Sequence, residues 1–284
     1  MHPITINPDG ASVRGCSYIY APAGQAGEYS PLAANPYLGC GHKCAYCYVP
    51  RLLRVHLGGP GSNVNKARQV FDEGAIVRPK FQSGLLKDAR KYQAAGLTGQ
   101  VMLSFTTDPY PPAHHELTRW TLQALRDHGL GFCTLTKGGS RALRDLDLFR
   151  PDRDAFASTL TSLDRDFSRK WERGAADPED RISTLRKFHD RGIFTWVSLE
   201  PTIDVEASLA IVDATHEFVD LFKVGRVNYV GITKTTDWQA YTLRMIEKLQ
   251  RLNKRAYIKK DLQPYLPAGY FNPLRVNQHH GAAS

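Results

Sequence analysis

From residue 100 onward, short apolar runs alternate with amphipathic stretches along the chain. The apolar runs are Val101–Phe105, Gly131–Leu135, Ala155–Leu160, Phe194–Leu199, Leu221–Val224 and Ala256–Ile258. The amphipathic stretches between them are Leu117–Asp127, Ala142–Phe149, Arg181–Asp190, Val205–Glu217 and Trp238–Leu252. This alternation of strand and helix predicts right-handed βαβ units that form a parallel sheet.

Six or seven such units predict an α/β fold with a full or partial TIM-like barrel, although periodicity alone does not separate a barrel from a flat sheet. In either architecture the chemistry belongs at the carboxyl ends of the strands. We expect an N-terminal extension at 1–30, a barrel at 31–262 and a C-terminal tail at 263–284. The turn-rich stretch Gly58–Asn63 is expected to be an exposed loop and is a candidate lid.

The composition is that of a soluble globular protein, with 42% hydrophobic and 23% charged residues among 284. The net charge of +9 favours an anionic partner such as nucleic acid, although Lys and Arg are spread along the whole chain. There is no long apolar run and no secretory pattern at the start, so we expect a cytoplasmic protein without a membrane segment. The oligomeric state is not predictable from these features.

Three of the five cysteines lie within eight residues, at Cys40, Cys44 and Cys47. Neighbours this close suit a metal better than a disulfide framework. Each of three thiolates on one loop can bind a different iron of a [4Fe–4S] cubane, which leaves the fourth iron open. An open iron is what S-adenosylmethionine (SAM) requires, because its amino and carboxylate groups bind there.

A structural zinc site is the alternative interpretation of the same cysteines. It needs a fourth ligand from His42, Cys16, Cys133 or a distant histidine. His42 is only two residues from both Cys40 and Cys44, which is an awkward reach for joint chelation. Cysteines without any metal are the third interpretation.

With this cysteine spacing, the chain resembles the radical SAM superfamily, and within it the spore photoproduct lyase-like group. The resemblance covers about Asn35–Lys260. Its further motifs follow the predicted strands in order: Phe105-Thr-Thr-Asp-Pro-Tyr110, Leu135-Thr-Lys137, Arg144-Asp-Leu-Asp-Leu148, Ser158-Thr-Leu-Thr-Ser162 and Arg181. The resemblance implies a partial (βα)6-type TIM-like barrel that holds a [4Fe–4S] cluster and SAM.

Carried over by residue, the resemblance implies SAM contacts from Tyr46, Thr107, Asp108, Lys137, Ser158 and Arg181. Lys137 suits the SAM carboxylate, and Ser158 with Thr107 or Asp108 suits its hydroxyls or amino group. Three of these side chains have simpler alternatives. In these alternatives, Lys137 is a solvated lysine on a loop, Ser158 forms hydrogen bonds to backbone groups of its own strand, and Arg181 forms an ion pair with Glu172 or Asp177.

Glu200 follows the run Phe194–Leu199, and Lys223 and Arg226 lie at the end of the run that begins at Leu221; we expect all three to contact the substrate. Lys259 and Lys260 end the last strand and suit a phosphate or a solvated edge. One departure limits the resemblance. Spore photoproduct lyase has a cysteine that donates a hydrogen atom, just ahead of the motif that matches Thr106-Thr-Asp108 here. Phe105 occupies the position of that cysteine in this sequence.

The sequence therefore predicts a radical SAM enzyme that forms a 5′-deoxyadenosyl radical and acts on a nucleic acid base or a modified thymidine in DNA, with flavodoxin or ferredoxin as electron donor. Phe105 puts the repair of thymine dimers in doubt. A peptide or small metabolite is the alternative substrate, and a zinc-stabilised nucleic-acid-binding protein is the alternative of another class.

Overall fold

The structure is a computed structural model that describes residues 4–7, 10–113, 116–227 and 235–272. In chain order, the strands are Ile4–Asn7 (β1), Gly10–Val13 (β2), Leu32–Ala34 (β3), Tyr37–Leu38 (β4), Ile76–Val77 (β5), Gln100–Leu103 (β6), Gly131–Thr136 (β7), Ala155–Thr159 (β8), Phe194–Thr202 (β9), Leu221–Arg226 (β10) and Arg255–Ile258 (β11). The α-helices are Val49–Leu52 (α1), Arg54–Gly58 (α2), Val64–Glu73 (α3), Phe81–Ala94 (α4), Glu116–Asp127 (α5), Arg165–Trp171 (α6), Pro178–His189 (α7), Val205–Thr215 (α8) and Trp238–Arg251 (α9).

Seven parallel strands form the main sheet, in the order β3-β6-β7-β8-β9-β10-β11. Their residues are buried almost throughout, which is why they are continuous apolar runs in the sequence rather than alternating ones. Among the described residues, β3 and β11 do not pair, so the sheet is open between its first and last strands. The expected parallel α/β architecture is confirmed.

Helices cover one face of this sheet and supply most of the core. In α9, Tyr241, Met245 and Leu249 recur at helical spacing and are buried against the sheet. In the same core, the rings of Phe156 on β8 and Phe188 on α7 stack with their centroids 3.8 Å apart. The other face carries a smaller apolar cluster that includes Cys133 and Trp196, and Tyr29 packs on it.

Aspartate side chains fix the start of several connecting helices. Asp164, Asp204 and Asp237 precede α6, α8 and α9, and each carboxylate accepts a hydrogen bond from a backbone N–H of the first turn. Such caps satisfy donors that have no partner within the helix. They also define where each loop at the sheet edge ends.

The connection between β7 and β8 differs from the expected helix at Ala142–Phe149. It is a 3₁₀ helix over Gly139–Leu148. Arg119 and Arg126 of α5 donate hydrogen bonds to backbone carbonyls in this stretch, including that of Arg144 at 2.9 Å. These carbonyls therefore bond to α5 instead of to the next turn of an α-helix. A helix is thus present at the expected amphipathic stretch, but it is of the 3₁₀ type and begins three residues earlier.

Residues before β3 pack closely on the sheet and its helices. The carboxylate of Asp88 on α4 accepts backbone hydrogen bonds from Ser17, Tyr18 and Ile19 at 2.9, 2.7 and 3.1 Å. The expected tail at 263–284 is described only to residue 272, and 273–284 lie outside the described residues. The division into extension, barrel and tail stays a prediction.

In the stretch Gly58–Asn63, Gly58 ends α2 and residues 59–63 form the turn to α3, which Asn63 caps by accepting a hydrogen bond from the N–H of Lys66 at 2.9 Å. Its role as a lid stays a prediction. No helix in the described parts of the chain is long and apolar enough to span a membrane.

Candidate active site

A cavity of about 660 Å³ opens at the carboxyl ends of the parallel strands. Every strand of the main sheet contributes a residue at or after its carboxyl end. These residues are Cys40 after β3, Asp108 after β6, Lys137 after β7, Thr159 of β8, Glu200 of β9, Arg226 of β10 and Lys259 after β11. The expected position of the chemistry at this edge agrees with the geometry.

The three neighbouring cysteines line one side of this cavity. Cys40, Cys44 and Cys47 are all free of disulfide bonds. Their loop is held by Arg68 of α3, whose guanidinium donates to the carbonyls of Cys44 and Cys47, each at 2.9 Å. The N–H of Cys40 donates to the carbonyl of Phe71 at 3.0 Å.

Two glycines allow the backbone to pack tightly around the cysteine loop. Gly39 has φ +78°, and a Cβ there would lie 2.3 Å from the carbonyl oxygen of Gly74. Gly174, in the loop between α6 and α7, approaches the other side, where a Cβ would lie 2.3 Å from the carbonyl oxygen of Gly41. A side chain at either position would force the loops apart.

The donor set fits a cubane cluster bound by three thiolates. Burial raises the pKa of Cys44 to about 12 and that of Cys40 well above its usual value, so the free thiols are protonated and a metal would displace their protons. In the described parts of the chain, no three His, Cys, Asp or Glu side chains meet where a single metal ion would bind. A cubane instead takes one thiolate at each of three irons.

The side chains named as a fourth zinc ligand are engaged elsewhere. The Nε2 of His42 lies 2.7 Å from Nη2 of Arg141, and its Nδ1 lies 3.4 Å from Asp108. Cys133 is fully buried and its Sγ accepts a hydrogen bond from the indole of Trp196 at 3.2 Å. Neither Cys133 nor Cys16 lines the cavity.

Glu172, like Arg68, holds the cysteine loop in place. Its carboxylate accepts a hydrogen bond from the hydroxyl of Tyr46, between two of the cysteines, and forms an ion pair with Arg181 at 2.7 Å. Glu172 and Arg181 are both fully buried. Burial alone would raise the pKa of Glu172, but Arg181 and Lys137 lower it, so the carboxylate is ionised.

Asp108 joins the ends of β6 and β7. Its carboxylate accepts hydrogen bonds from the Thr136 hydroxyl at 2.5 Å and from the backbone N–H groups of Tyr110 and Lys137, each at 2.8 Å. Burial opposes ionisation, but His42 and these donors hold the pKa of Asp108 well below its usual range. Asp108 therefore fixes the backbone that presents Lys137.

The residues expected to contact SAM divide into two groups by position. Tyr46, Thr107, Asp108 and Lys137 line the cavity beside the cysteines. Burial opposes the charge on Lys137, but the ionised carboxylates of Glu172 and Asp108 favour it and the pKa of Lys137 is raised, so its amine is a cation inside the cavity. The hydroxyl of Thr107 donates to the carbonyl of Gly39 and thereby holds the cysteine loop.

Ser158 and Arg181 form the second group, because neither lines the cavity. Ser158 donates its hydroxyl to the carbonyl of Thr136 at 3.0 Å, within the sheet. Arg181 donates to the carbonyls of Ala176 and Thr159 at 2.8 and 3.0 Å in addition to its ion pair with Glu172. Their contacts match the simpler alternatives for these two residues.

The wall opposite the cysteines carries a linked set of polar groups. Glu200 accepts hydrogen bonds from the hydroxyl of Tyr29 and from the amine of Lys259. The hydroxyls of Tyr29 and Ser198 lie 3.2 Å apart. This wall was predicted only through Glu200 and Lys259, because Tyr29 comes from the segment before β3, where the sequence carries no motif.

Lys223, which we expected at the mouth beside Glu200 and Arg226, does not line the cavity. It is fully buried within β10, where its amine donates to the carbonyl of Tyr29 at 2.7 Å and lies 4.4 Å from the centre of the Trp196 ring. Burial lowers its pKa to about 7. Three residues along the strand, Arg226 does line the cavity, 3.8 Å from Asp261.

Phe105 lines the cavity where the resemblance led us to look for a hydrogen donor, and its ring centroid lies 6.0 Å from that of Tyr29. The loop that carries Phe105 is fixed by Asn35, whose side-chain oxygen accepts from the N–H of Phe105 at 2.7 Å. Cysteine side chains in this cavity are thus confined to the cysteine loop in the described part of the chain.

A model of the radical SAM superfamily matches residues 34–203, which is more than half of the chain and includes the cysteine loop and the strands β6, β7, β8 and β9 of the main sheet. The chain belongs to the radical SAM superfamily. This family assignment confirms the expectation from the cysteine spacing and the strand-end motifs.

Several proteins are similar over large parts of the sequence. An uncharacterized protein of Acidianus two-tailed virus is 27% identical over 178 residues, which are 60% of this chain and 55% of the viral protein, so the chain spans about half the length of that relative. An uncharacterized protein of Mycobacterium tuberculosis is 24% identical over 85% of this chain and 70% of its own length.

Solved structures show the same fold. A mutant of spore photoproduct lyase superposes with a TM-score of 0.62 at 14% identity, over 87% of this chain and 80% of the lyase. Streptococcus suis SuiB bound to S-adenosylmethionine superposes with a TM-score of 0.58 at 14% identity, over 84% of this chain and 52% of SuiB. The expected TIM-like fold of the radical SAM type is confirmed, as a parallel sheet without closure between β3 and β11 among the described residues.

Proposed function

We propose that this protein is a radical SAM enzyme with a [4Fe–4S] cluster at Cys40, Cys44 and Cys47. The observation that carries the proposal is that these three thiols, free of disulfides, line one cavity at the carboxyl ends of the strands. When bound, the cluster and SAM supply a 5′-deoxyadenosyl radical that abstracts hydrogen from the substrate. A reducing cytoplasm and a flavodoxin or ferredoxin as electron donor belong to the proposal.

In this proposal, the chain binds and orients SAM with the residues beside the cysteine loop. The Lys137 cation contacts the SAM carboxylate, while Thr107 and the backbone of Tyr46 contact its other polar groups. Asp108 acts by fixing the Lys137 backbone, to which its carboxylate is bound at 2.8 Å. Ser158 and Arg181 act through the neighbours that they hold, because they do not line the cavity.

We further propose that the substrate is a nucleic acid base, for example a modified thymidine in DNA. Support comes from the net charge of +9 and from the aromatic rings of Tyr20, Tyr29, Tyr48 and Phe105 around the cavity, on which a planar base can stack. Glu200 and Arg226 then contact the base or its sugar-phosphate. Lys223 is not among these residues, since its side chain is fully buried and does not line the cavity.

A peptide is the second candidate substrate, because a structure of SuiB bound to the precursor peptide SuiA superposes with a TM-score of 0.58. The two candidates are separated by hydrogen transfer. Duplex DNA deuterated at thymidine is expected to transfer deuterium into 5′-deoxyadenosine in an anaerobic reaction with SAM and dithionite. Transfer from a deuterated peptide pool instead, with none from DNA or nucleosides, would refute the nucleic acid substrate.

Alanine substitution tests the cluster itself. Cys44→Ala, made in anaerobically purified protein, is expected to abolish the broad visible absorption, lower the iron content and stop 5′-deoxyadenosine formation, because one iron of the cubane loses its thiolate. Cys16→Ala is the matched control, since its thiol does not line the cavity. A colourless wild-type protein with stoichiometric zinc, or an active Cys44→Ala variant, would overturn the proposal.

A further inference from the structure

The segment 48–55, which we name the rim segment, follows directly after Cys47 and forms part of the cavity mouth. Its inner side chains, Val49 and Leu53, pack in an apolar cluster with Cys40 and Phe71. Three of its exposed side chains are also apolar, namely Tyr48 at 46%, Leu52 at 64% and Val55 at 52%. The rim segment thus has apolar side chains on both sides.

Exposed apolar side chains grouped at a cavity mouth indicate a surface that a partner covers. Tyr48 and Leu52 are exposed to solvent and also line the cavity. A partner that docks at the mouth would therefore contact them before it reaches the cavity. The base of the rim segment is fixed. The hydroxyl of Ser62 donates to the carbonyl of Arg54 at 2.7 Å, and Leu53 packs inward.

The charge of this region specifies the chemistry of the partner. No Asp or Glu occurs from residue 29 to residue 71, whereas Lys43, Arg51, Arg54, Lys66 and Arg68 fall within that stretch. Arg51 and Arg54 are exposed, and within the described structure neither guanidinium makes a hydrogen bond or an ion pair. Arg51 and Arg54, as exposed cations without an ion pair among the described residues and beside apolar side chains, suit a polyanion that also offers flat apolar surfaces.

We infer that the rim segment is a docking surface for duplex nucleic acid. Arg51 and Arg54 contact backbone phosphates, and Leu52 with Tyr48 meets the base pairs at the cavity mouth. An enzyme that acts on a base inside a duplex must take that base out of the stack, and apolar side chains inserted at a base step assist this. The inference rests on the proposed function, because it supplies the route by which a base reaches the cavity.

The first test measures binding of a fluorescein-labelled DNA duplex to the cluster-loaded protein by anisotropy at several salt concentrations. The double variant Arg51→Gln/Arg54→Gln is expected to bind roughly 10- to 100-fold more weakly at about 0.1 M salt, and the slope of log affinity against log salt is expected to become shallower by about 2, since each phosphate contact contributes about 0.9. Wild-type iron content and circular dichroism establish that the variant is folded.

The matched control is Lys187→Gln/Arg191→Gln, which removes the same charge from the opposite edge of the sheet. Both cations are exposed, at the end of α7 and just before β9, and neither side chain is paired in the described structure. An equal loss of affinity in both double variants would overturn the inference, because net charge rather than the rim segment would then attract DNA. Binding of a poly-glutamate peptide in preference to the duplex would also overturn it.

The second test concerns Leu52, which is largely exposed and contributes little to folding. Wild-type protein is expected to raise the fluorescence of a duplex that carries 2-aminopurine at several positions, because unstacked bases fluoresce more strongly. Leu52→Ala is expected to lose most of this rise while it keeps duplex affinity within about threefold. An undiminished rise in Leu52→Ala would refute the role of the side chain at the bases.

The two proposals fail in distinguishable ways. Wild-type protein that forms 5′-deoxyadenosine but does not bind duplex DNA would refute the docking surface and leave the radical SAM function intact. Protein that binds DNA through Arg51 and Arg54 but holds no iron and does not cleave SAM would refute the function and leave the surface intact.

Discussion

Arg181→Met is expected to destabilise the protein strongly, although Arg181 does not line the cavity. The guanidinium lies 2.7 Å from the Glu172 carboxylate, and the side chains of the two residues are 1% and 0% exposed. Methionine has a similar length but no charge and no donors. The variant therefore leaves a buried carboxylate whose other hydrogen bonds come from Tyr46 and Ser168.

The expected loss is about 3–5 kcal/mol in the free energy of unfolding at pH 8, which is the usual cost of removing one partner from a buried ion pair. The orphaned carbonyls of Thr159 and Ala176 act in the same direction. The second substitution in Glu172→Gln/Arg181→Met removes the uncompensated charge, so the double variant is expected to recover at least about 1 kcal/mol of the loss.

The pH dependence follows from the pKa of Glu172. In the wild type, Arg181 helps to lower this pKa, so the stability that Glu172 contributes is present above its unfolded pKa and is lost as the pH falls through the folded pKa. Without Arg181 the folded pKa is higher, and the buried carboxylate of the variant takes up a proton sooner on acidification. The difference in stability between wild type and variant is expected to narrow as the pH falls from 8.

Urea unfolding followed by circular dichroism measures these differences, with Arg244→Met as the control. Arg244 pairs with Glu206 at 2.6 Å on the surface, where water screens the pair, so its loss is expected to change stability far less. A loss of less than about 1 kcal/mol in Arg181→Met, or a loss that does not depend on pH, would refute the role of the ion pair. If SAM affinity fell while stability stayed unchanged, Arg181 would instead contact the cofactor.

Three further substitutions test other parts of the site. Lys223→Met is expected to flatten the dependence of stability on pH. In the wild type, burial lowers the pKa of Lys223 to about 7, so the free energy of unfolding rises between about pH 7 and 10. Urea midpoints should show that rise only when the lysine is present. Gly39→Ala is expected to lower the iron content of anaerobically purified protein, because its Cβ would clash with the carbonyl oxygen of Gly74. Gly24→Ala is the control and should retain the iron, since Gly24 also has a positive φ but no atom lies within 4 Å of the added Cβ. Equal iron content in both variants would contradict the close-packing argument. Asp108→Asn is expected to cost about 2 kcal/mol in urea unfolding, because an amide cannot accept from all the donors that the carboxylate binds, and an unchanged midpoint would contradict its role in joining β6 and β7.

The strands and the cysteine loop were predictable because their signals are local. A parallel strand that is buried on both faces must be a run of apolar residues, and the cysteine spacing lies within eight residues of sequence. Asp108, Lys137 and Glu200, which we expected at strand ends, line one cavity. Those residues follow directly after strands, so the edge of the sheet alone brings them together.

Residues that reach the site through long-range packing were not predictable in the same way. Glu172 and Tyr46 are 126 positions apart, and Tyr29 and Glu200 are 171 apart. Glu172 follows α6 without any motif, and only the proposed pairing with Arg181 gave a hint of it. The sequence shows that Lys223 lies near a strand end, but not whether its side chain reaches the cavity or is buried against Tyr29 and Trp196.

The contacts on the cysteine side of the cavity explain how an open sheet can hold a rigid site. The loops after consecutive strands are tied to one another in sequence. These ties are Thr107 to the Gly39 carbonyl, the Asp108 carboxylate to the Lys137 N–H, the Lys137 carbonyl to the Ala176 N–H, and the Glu172 carboxylate to the Tyr46 hydroxyl. They run from the cysteine loop through the loops after β6, β7 and β8 and return to the cysteine loop.

This closed circuit of loops does not include β9, β10 or β11, whose side chains form the opposite wall. Glu200 and Lys259 are instead held by each other and by Tyr29, which comes from the segment before β3. A change in that segment can therefore reshape the opposite wall without loosening the cysteine loop. We expect the identity of the substrate to depend on Tyr29, the rim segment and the ends of β9 to β11, while the residues of the circuit serve the step that all members of the superfamily share.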